Sequence, residues 1–330
     1  MKKSSFSWFR ALIQISFALF FLYVGWRFYH YYLWASGAVP DFTPRPPAAE
    51  AFLPISALVG LKRLLLGNGF DPIHPAGLSI FIMAIVISLI ARKGFCGYFC
   101  PVGWFCQVLD KLGRRLGISR SPGRFVSLLI SLPKYILLGL FVWLIVINMP
   151  GPAIEQFLFT PYNKVADSKM LVFFLDPSRN TLIGLGVILI GSMLVPGFWC
   201  RGFCPYGALL GLFSWLSPFA VRRDKEKCTY CRRCSKACPV RIPVYRAGRV
   251  SGPECQGCLE CVAACPEPGC LSLTLGYGKA RLLKPLALPL LCLGLLCLGY
   301  FTALAADAWY SQVPPEELKM YHRVLNLLSH

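Results

Sequence analysis

The sequence predicts a mainly α fold, a polytopic helical membrane bundle with a small α+β domain inserted late in the chain. Three observations predict it. The 330 residues are 56% hydrophobic and only 15% charged, whereas charged residues make up about a quarter of an ordinary soluble domain. Five long apolar runs punctuate the chain, and eight of its 16 cysteines fall in two short, identically spaced runs.

The first apolar run, about Ala11 to Trp34, follows Lys2, Lys3 and Arg10. A basic start of this kind resembles a signal peptide, but the stretch is too long and lacks a small-residue cleavage site, so it reads as a retained anchor. Ala51 to Leu66 is apolar yet too short to cross, and reads as an interfacial or re-entrant helix able to roof a site. Further spans run from about Ala76 to Ile90, Val126 to Met149, Thr181 to Trp199 and Pro285 to Ala306. The second is short, and the third holds Pro133 and Lys134 near its start, so their limits are soft. With five crossings, residues 1–10, 92–124 and 201–284 share one side and carry 24 Lys and Arg. The opposite side, residues 36–76, 150–180 and 307–330, carries 8. The positive-inside rule puts the amino terminus and the cysteine-rich insert in the cytoplasm and the carboxyl terminus outside. The net charge of +19 reflects that topology and gives no reason to expect nucleic acid.

The expected division is a membrane part at 1–221, an insert at 222–276, a last span at 277–306 and an outer tail at 307–330. In the tail, Pro314 and Pro315 followed by Glu316 and Glu317 start a helix. Leu318, Tyr321, Val324, Leu325 and Leu328 then recur at helical spacing. Such a stripe either lies on the bilayer or docks a partner.

Cys228, Cys231, Cys234 and Cys238 precede Pro239, and Cys255, Cys258, Cys261 and Cys265 precede Pro266. Each run reads C-x2-C-x2-C-x3-C-P, the bacterial ferredoxin spacing, in which the fourth cysteine ligates the other cluster. On that rule Cys228, Cys231, Cys234 and Cys265 hold one [4Fe-4S] cluster, and Cys255, Cys258, Cys261 and Cys238 hold the second. A zinc ribbon uses paired C-x2-C and has no need of the third cysteine or the proline. Two adjacent one-electron carriers make a relay. A second motif, C-x3-C-P-x-G, occurs at Cys96-Cys100-Pro101-Gly103 and again at Cys200-Cys204-Pro205-Gly207, 104 residues later. It marks an internal duplication. Both copies follow spans of the same direction, so the repeats are parallel, and thiols four apart share a helical face. Cys96, Cys100, Cys200 and Cys204 are therefore candidates for a third cluster, the alternative being small packing residues where a helix breaks. Cys106, Cys270, Cys292 and Cys297 lack such partners and read as structural.

On the outer side Glu50, Asp71, His74 and Glu155 are acid-base candidates for a quinone site, with ordinary loop solvation as the alternative. Haem b needs two axial histidines. His30 and His74, near the outer ends of neighbouring spans, have no supporting motif, so haem is not expected. The sequence holds no D-x-x-[ST]-G-[AS]-[ST] stretch for covalent flavin.

Taken together, these motifs resemble the membrane polyferredoxins of the NapH and NosR type. Arg45-Pro46-Pro47, Glu50 to Leu58, His74-Pro75-Ala76-Gly77 and Arg92 to Gly103 are similar in order and wording to the membrane half of NosR-like proteins, and the resemblance covers nearly all of residues 45–275. It implies electron transfer in the bacterial inner membrane. The donor would be a quinone or a soluble reductant, and the partner a periplasmic-side or membrane oxidoreductase bearing flavin or haem. Two departures are expected: the periplasmic flavin domain of the NosR type is missing, and the tail ends outside where NapH-type proteins end in the cytoplasm. The alternative is a maturation factor that supplies electrons for assembling another metalloenzyme.

Overall fold

The computed structural model describes residues 3–276, 281–323 and Leu325. Helices dominate, and the described strands form a single small sheet. Phe6–Ala35, Phe125–Asn148 and Ala287–Ala305 are long and apolar enough to cross a bilayer. They correspond to the first, third and last expected spans.

The other two spans differ from expectation. Arg179–Leu194 pairs with Ala166–Leu175 across a bend of 82°. Pro177 lies in that break, where it removes an amide donor and turns the preceding residue away from helix. The helix stops at Leu194 rather than Trp199 because Pro196 follows and Gly197 takes a left-handed φ of 68°, a conformation open to glycine at little cost. The second expected span is the 17-residue helix Pro75–Ala91, about 26 Å long at 1.5 Å per residue, against a hydrocarbon core of roughly 30 Å. The described residues thus give three crossings, or four with the bent pair. Adding the shorter apolar helix Pro75–Ala91 would make five.

The chain divides into two compact units. The first comprises Met1–Ala18, Ala84–Leu138 and Gly186–Leu296. Its sheet is antiparallel, in the order β2-β1-β3-β4, from β1 Phe219–Arg223, β2 Arg249–Val250, β3 Leu271–Leu275 and β4 Arg281–Leu283. Val221 pairs with Val250 on one side and Leu273 on the other. Val221, Leu271 and Leu273 then enter one core with Ile13, Ile87, Tyr98, Leu259 and several cysteines. The insert is therefore packed onto helical segments of its own unit.

The second unit comprises Leu19–Met83, Gly139–Leu185 and Cys297–His330. Here the expected interfacial helix is Pro54–Leu65, which buries Val59 against Ile145, Ile154 and Leu158. Lys62 Nζ donates to the carbonyls of Ile145, at 3.0 Å, and Met149. The tail helix Pro315–Arg323 lies against its own unit, burying Leu318 beside Tyr31 and Trp34, with Leu325 in the same core. Its apolar stripe is thus covered from within, while Val324 and Leu328 lie outside the described residues.

Candidate metal centres

Two cavities in the first unit gather the cysteines in interleaved sets. Cys228, Cys231, Cys234 and Cys265 line one, and Cys238, Cys255, Cys258 and Cys261 line the other. The backbone builds both in the same way. Around Cys231, Tyr230 and Arg232 are left-handed (φ 53° and 60°), and around Cys258 so are Gly257 and Leu259 (φ 64° and 56°). Alternating hand turns successive backbone N–H groups to one side and makes a concave, anion-receptive loop. Arg232 and Leu259 then start the short helices Arg233–Ala237 and Glu260–Ala263, which carry the third cysteine of each run. A left-handed residue other than glycine costs about 1–2 kcal/mol, and here that cost recurs at matching positions.

Among the described residues no three His, Cys, Asp or Glu side chains converge as a single metal ion requires. Zinc would need four ligands within about 2.3 Å of one point. Four sulfurs spread around a cavity suit a polynuclear body instead. Burial pushes the Cys238 thiol up to about 12, so a cationic iron core is the natural means of holding it as thiolate. Cys270, read from sequence as structural, lines the first cavity as well, its thiol 3.7 Å from the Asp224 carbonyl.

The C-x3-C-P-x-G motif encodes one turn, and both copies make it. The amide of the second cysteine bonds the carbonyl five residues back, Cys100 to Phe95 and Cys204 to Trp199, at 3.1 Å each. That cysteine then caps a helix that begins with proline. Its Sγ accepts from Gly103 N at 3.5 Å in one copy and from Gly207 N at 3.2 Å in the other. A side chain at Gly103 would lie 3.1 Å from the Cys96 carbonyl oxygen, which explains the glycine.

The two copies meet. Cys96 and Cys100 lie within electrostatic reach of Cys204, and Cys200 within reach of Cys100. Burial pushes Cys96 up to about 11, and Cys100 upward too. Cys106, also read as structural, reaches Cys200 with its thiol. Lys93 and Lys134 are 3% and 0% exposed beside these thiols, and Lys134 pairs with Glu254. Burial works against the charge on Lys93, but Cys96, Glu254, Cys200 and Cys204 outweigh it and raise its pKa. A cluster ligated by four thiolates is anionic overall, so two buried ammonium groups suit it.

This site abuts the second ferredoxin cavity. A Cβ on Gly97 would lie 2.6 Å from the Gln256 carbonyl oxygen, and Tyr98 Oη donates to the Gly257 carbonyl at 3.1 Å. Arg10 Nε and Gln14 Nε2 both donate to the Gly97 carbonyl, at 3.3 and 3.0 Å, and Arg10 also pairs with Glu260 at 3.1 Å.

Comparison with known proteins separates the same two cysteine sets. A family model described as a 4Fe-4S binding domain matches residues 73–119 and 180–224, which hold the two C-x3-C-P motifs. One described as a 4Fe-4S dicluster domain matches residues 220–266. The chain is 37% identical over 319 residues to YccM of Escherichia coli K12, which bears the name of an electron transport protein, covering 95% of this chain and 88% of YccM. It belongs to the NapH/NosR-type polyferredoxin family. The ferredoxin-type protein NapH of Escherichia coli K12 is 26% identical over 211 residues, 61% of this chain and 69% of NapH. The regulatory protein NosR of Pseudomonas aeruginosa PAO1 is 26% identical over 188 residues, 54% of this chain and 24% of NosR. No solved structure matches. This polyferredoxin is an electron-transport iron-sulfur protein of the membrane.

In the second unit of the polyferredoxin, three of the four acid-base candidates come together. Glu50 is 2% exposed, accepts from Gly77 N at 2.9 Å and pairs with Arg45 at 3.4 Å. Arg45 also holds Asp167 at 2.6 Å and donates to His74 Nδ1 at 2.9 Å. His74 Nε2 therefore carries the hydrogen, which it donates to the Asn163 carbonyl at 2.7 Å. Asp71 accepts from Ile73 N and His74 N, and burial raises its pKa. Glu155 stands apart, paired with Arg63 at 2.8 Å. A cavity of about 190 Å³, lined by Tyr31, Trp34, Phe42, Glu50 and Tyr310, adjoins Arg45.

Proposed function

We propose that this polyferredoxin relays single electrons through three iron-sulfur centres. Cys228, Cys231, Cys234 and Cys265 hold the first, Cys255, Cys258, Cys261 and Cys238 the second, and Cys96, Cys100, Cys200 and Cys204 the third. The relay joins a quinone or a soluble cytoplasmic donor to an oxidoreductase partner on the periplasmic side of the bacterial inner membrane. The observation that carries this reading is the direct packing of the first C-x3-C-P turn on the loop of the second cavity, through Gly97 against Gln256 and Tyr98 to Gly257.

When bound, such clusters accept and release one electron without breaking a bond. The protein's own groups set the conditions. Tyr98 and Arg10 fix the third site against the second, and Lys93 and Lys134 offset its negative charge. Cys231 is exposed and flanked by exposed Arg232 and Arg233, which suits a soluble partner with an acidic face. The matched turns at Cys100 and Cys204 support a parallel internal repeat.

Iron analysis of anaerobically purified protein tests the reading. About 12 irons are expected for three cubes, falling to about 8 in Cys200→Ala with the ferredoxin signals intact. An unchanged iron content in that variant would remove the third centre, and colourless, iron-free wild-type protein would remove the relay.

A further inference from the structure

A second cavity type appears in the first unit, beside the proposed third centre. A wide-mouthed cavity of about 630 Å³ is lined by Phe125, Leu128, Ser131, Tyr135, Arg201 and Glu254, among others. Its walls differ in character. On the helix Arg124–Phe141, Phe125 and Leu128 are 73% and 67% exposed, and Leu132 and Ile136 continue the apolar stripe at helical spacing. The opposite wall is polar. Arg201, 8% exposed, donates through Nη1 to the Val240 carbonyl at 3.3 Å and through Nη2 to Ser127 Oγ, while its Nε is buried without a partner. Among the described residues the Tyr135 hydroxyl makes no hydrogen bond. Two residues of this wall adjoin proposed ligands, since Arg201 follows Cys200 and Glu254 precedes Cys255.

We infer that this cavity binds the headgroup of a lipid-soluble quinone, with its isoprenoid tail laid along Phe125, Leu128, Leu132 and Ile136. The chemistry on the page selects that class. Tyr135 O–H and Arg201 Nε–H are two unused donors, suited to the carbonyl oxygens of a neutral ring. An anionic lipid phosphate fits less well, because the Glu254 carboxylate lines the same space and Lys134 is already paired with it. The inference rests on the relay proposed above only for what the bound quinone would exchange electrons with.

The test uses the full-length protein in nanodiscs with a short-chain photoreactive azidoquinone. Label is expected within residues 124–141 or on 253–254, displaced by unlabelled quinone. Tyr135→Phe should weaken binding about 5- to 10-fold, the worth of one hydrogen bond. Leu128→Trp, at an exposed position, should block the mouth and abolish labelling while leaving the fold intact. Label concentrated at the Tyr31, Trp34 and Tyr310 cavity, or displaced by anionic phospholipid and not by quinone, would overturn the assignment. Iron measured on the same samples separates the two claims. Wild-type protein that holds full iron and takes no label removes the pocket, whereas wild-type protein labelled as expected with only the ferredoxin irons removes the third centre and leaves the pocket standing.

Discussion

Lys93 is 3% exposed among Cys96, Cys200, Cys204 and Glu254, a place where an ammonium is costly unless negative charge faces it. Reduction of a bound cluster adds one negative charge, which this cation stabilises. Lys93→Met should therefore lower the midpoint potential of the proposed third centre, by on the order of 60 mV for a tenfold change in a one-electron equilibrium. EPR-monitored titration reads this, and an unchanged or raised potential would count against a cluster at that place. The gathering of eight cysteines into two interleaved sets was legible in sequence because their spacing is local and covalent. Cys106 and Cys270 were not, because they reach Cys200 and the first cavity only through tertiary packing. The same holds for Lys93 and Lys134, which in sequence are merely charges beside apolar runs.

Among elements, the C-x3-C-P-x-G turn is decided by its backbone, and its approach to the second cavity leaves no room at Gly97. Gly97→Ala puts a methyl against the Gln256 carbonyl, a backbone atom. We expect a loss of about 1–3 kcal/mol, as for overpacked sites, seen as a lower thermal midpoint and easier iron loss from the Cys255 set. The tail helix makes a prediction of its own. His322 bonds the Leu318 carbonyl at 2.7 Å and Ser168 Oγ at 2.8 Å, and burial lowers its pKa. Its contribution is complete above the unfolded value of about 6.5 and declines as pH falls below it, because the unfolded chain takes the proton first. Hydrogen-exchange protection of residues 315–323, corrected for the intrinsic pH dependence of exchange, should fall between pH 7 and 5.5, roughly the range around that value; protection independent of pH would contradict this. Run length sufficed to foresee three spans, but Pro196 and Gly197 cut the fourth short. The tail's apolar stripe fits a bilayer, a partner or its own unit equally well, so its docking could not be read in advance.

For the molecule as a whole, the segments expected on the basic side all fall in the first unit, and those expected opposite all fall in the second. Applied to those segments, the positive-inside rule proposes that the first unit is the cytoplasmic one. A reporter fused after Arg281 should be active only in the cytoplasm, and labelling there from the periplasm would reverse the topology. The left-handed backbone at Tyr230, Arg232 and Leu259 reaches further still. Deprived of metal, those loops keep their strain and lose what compensates it, so a newly made chain should stay open and be cleared by proteolysis. Cellular abundance of the protein would then follow iron supply even when its message is held constant, and pulse-chase during iron starvation would reveal it.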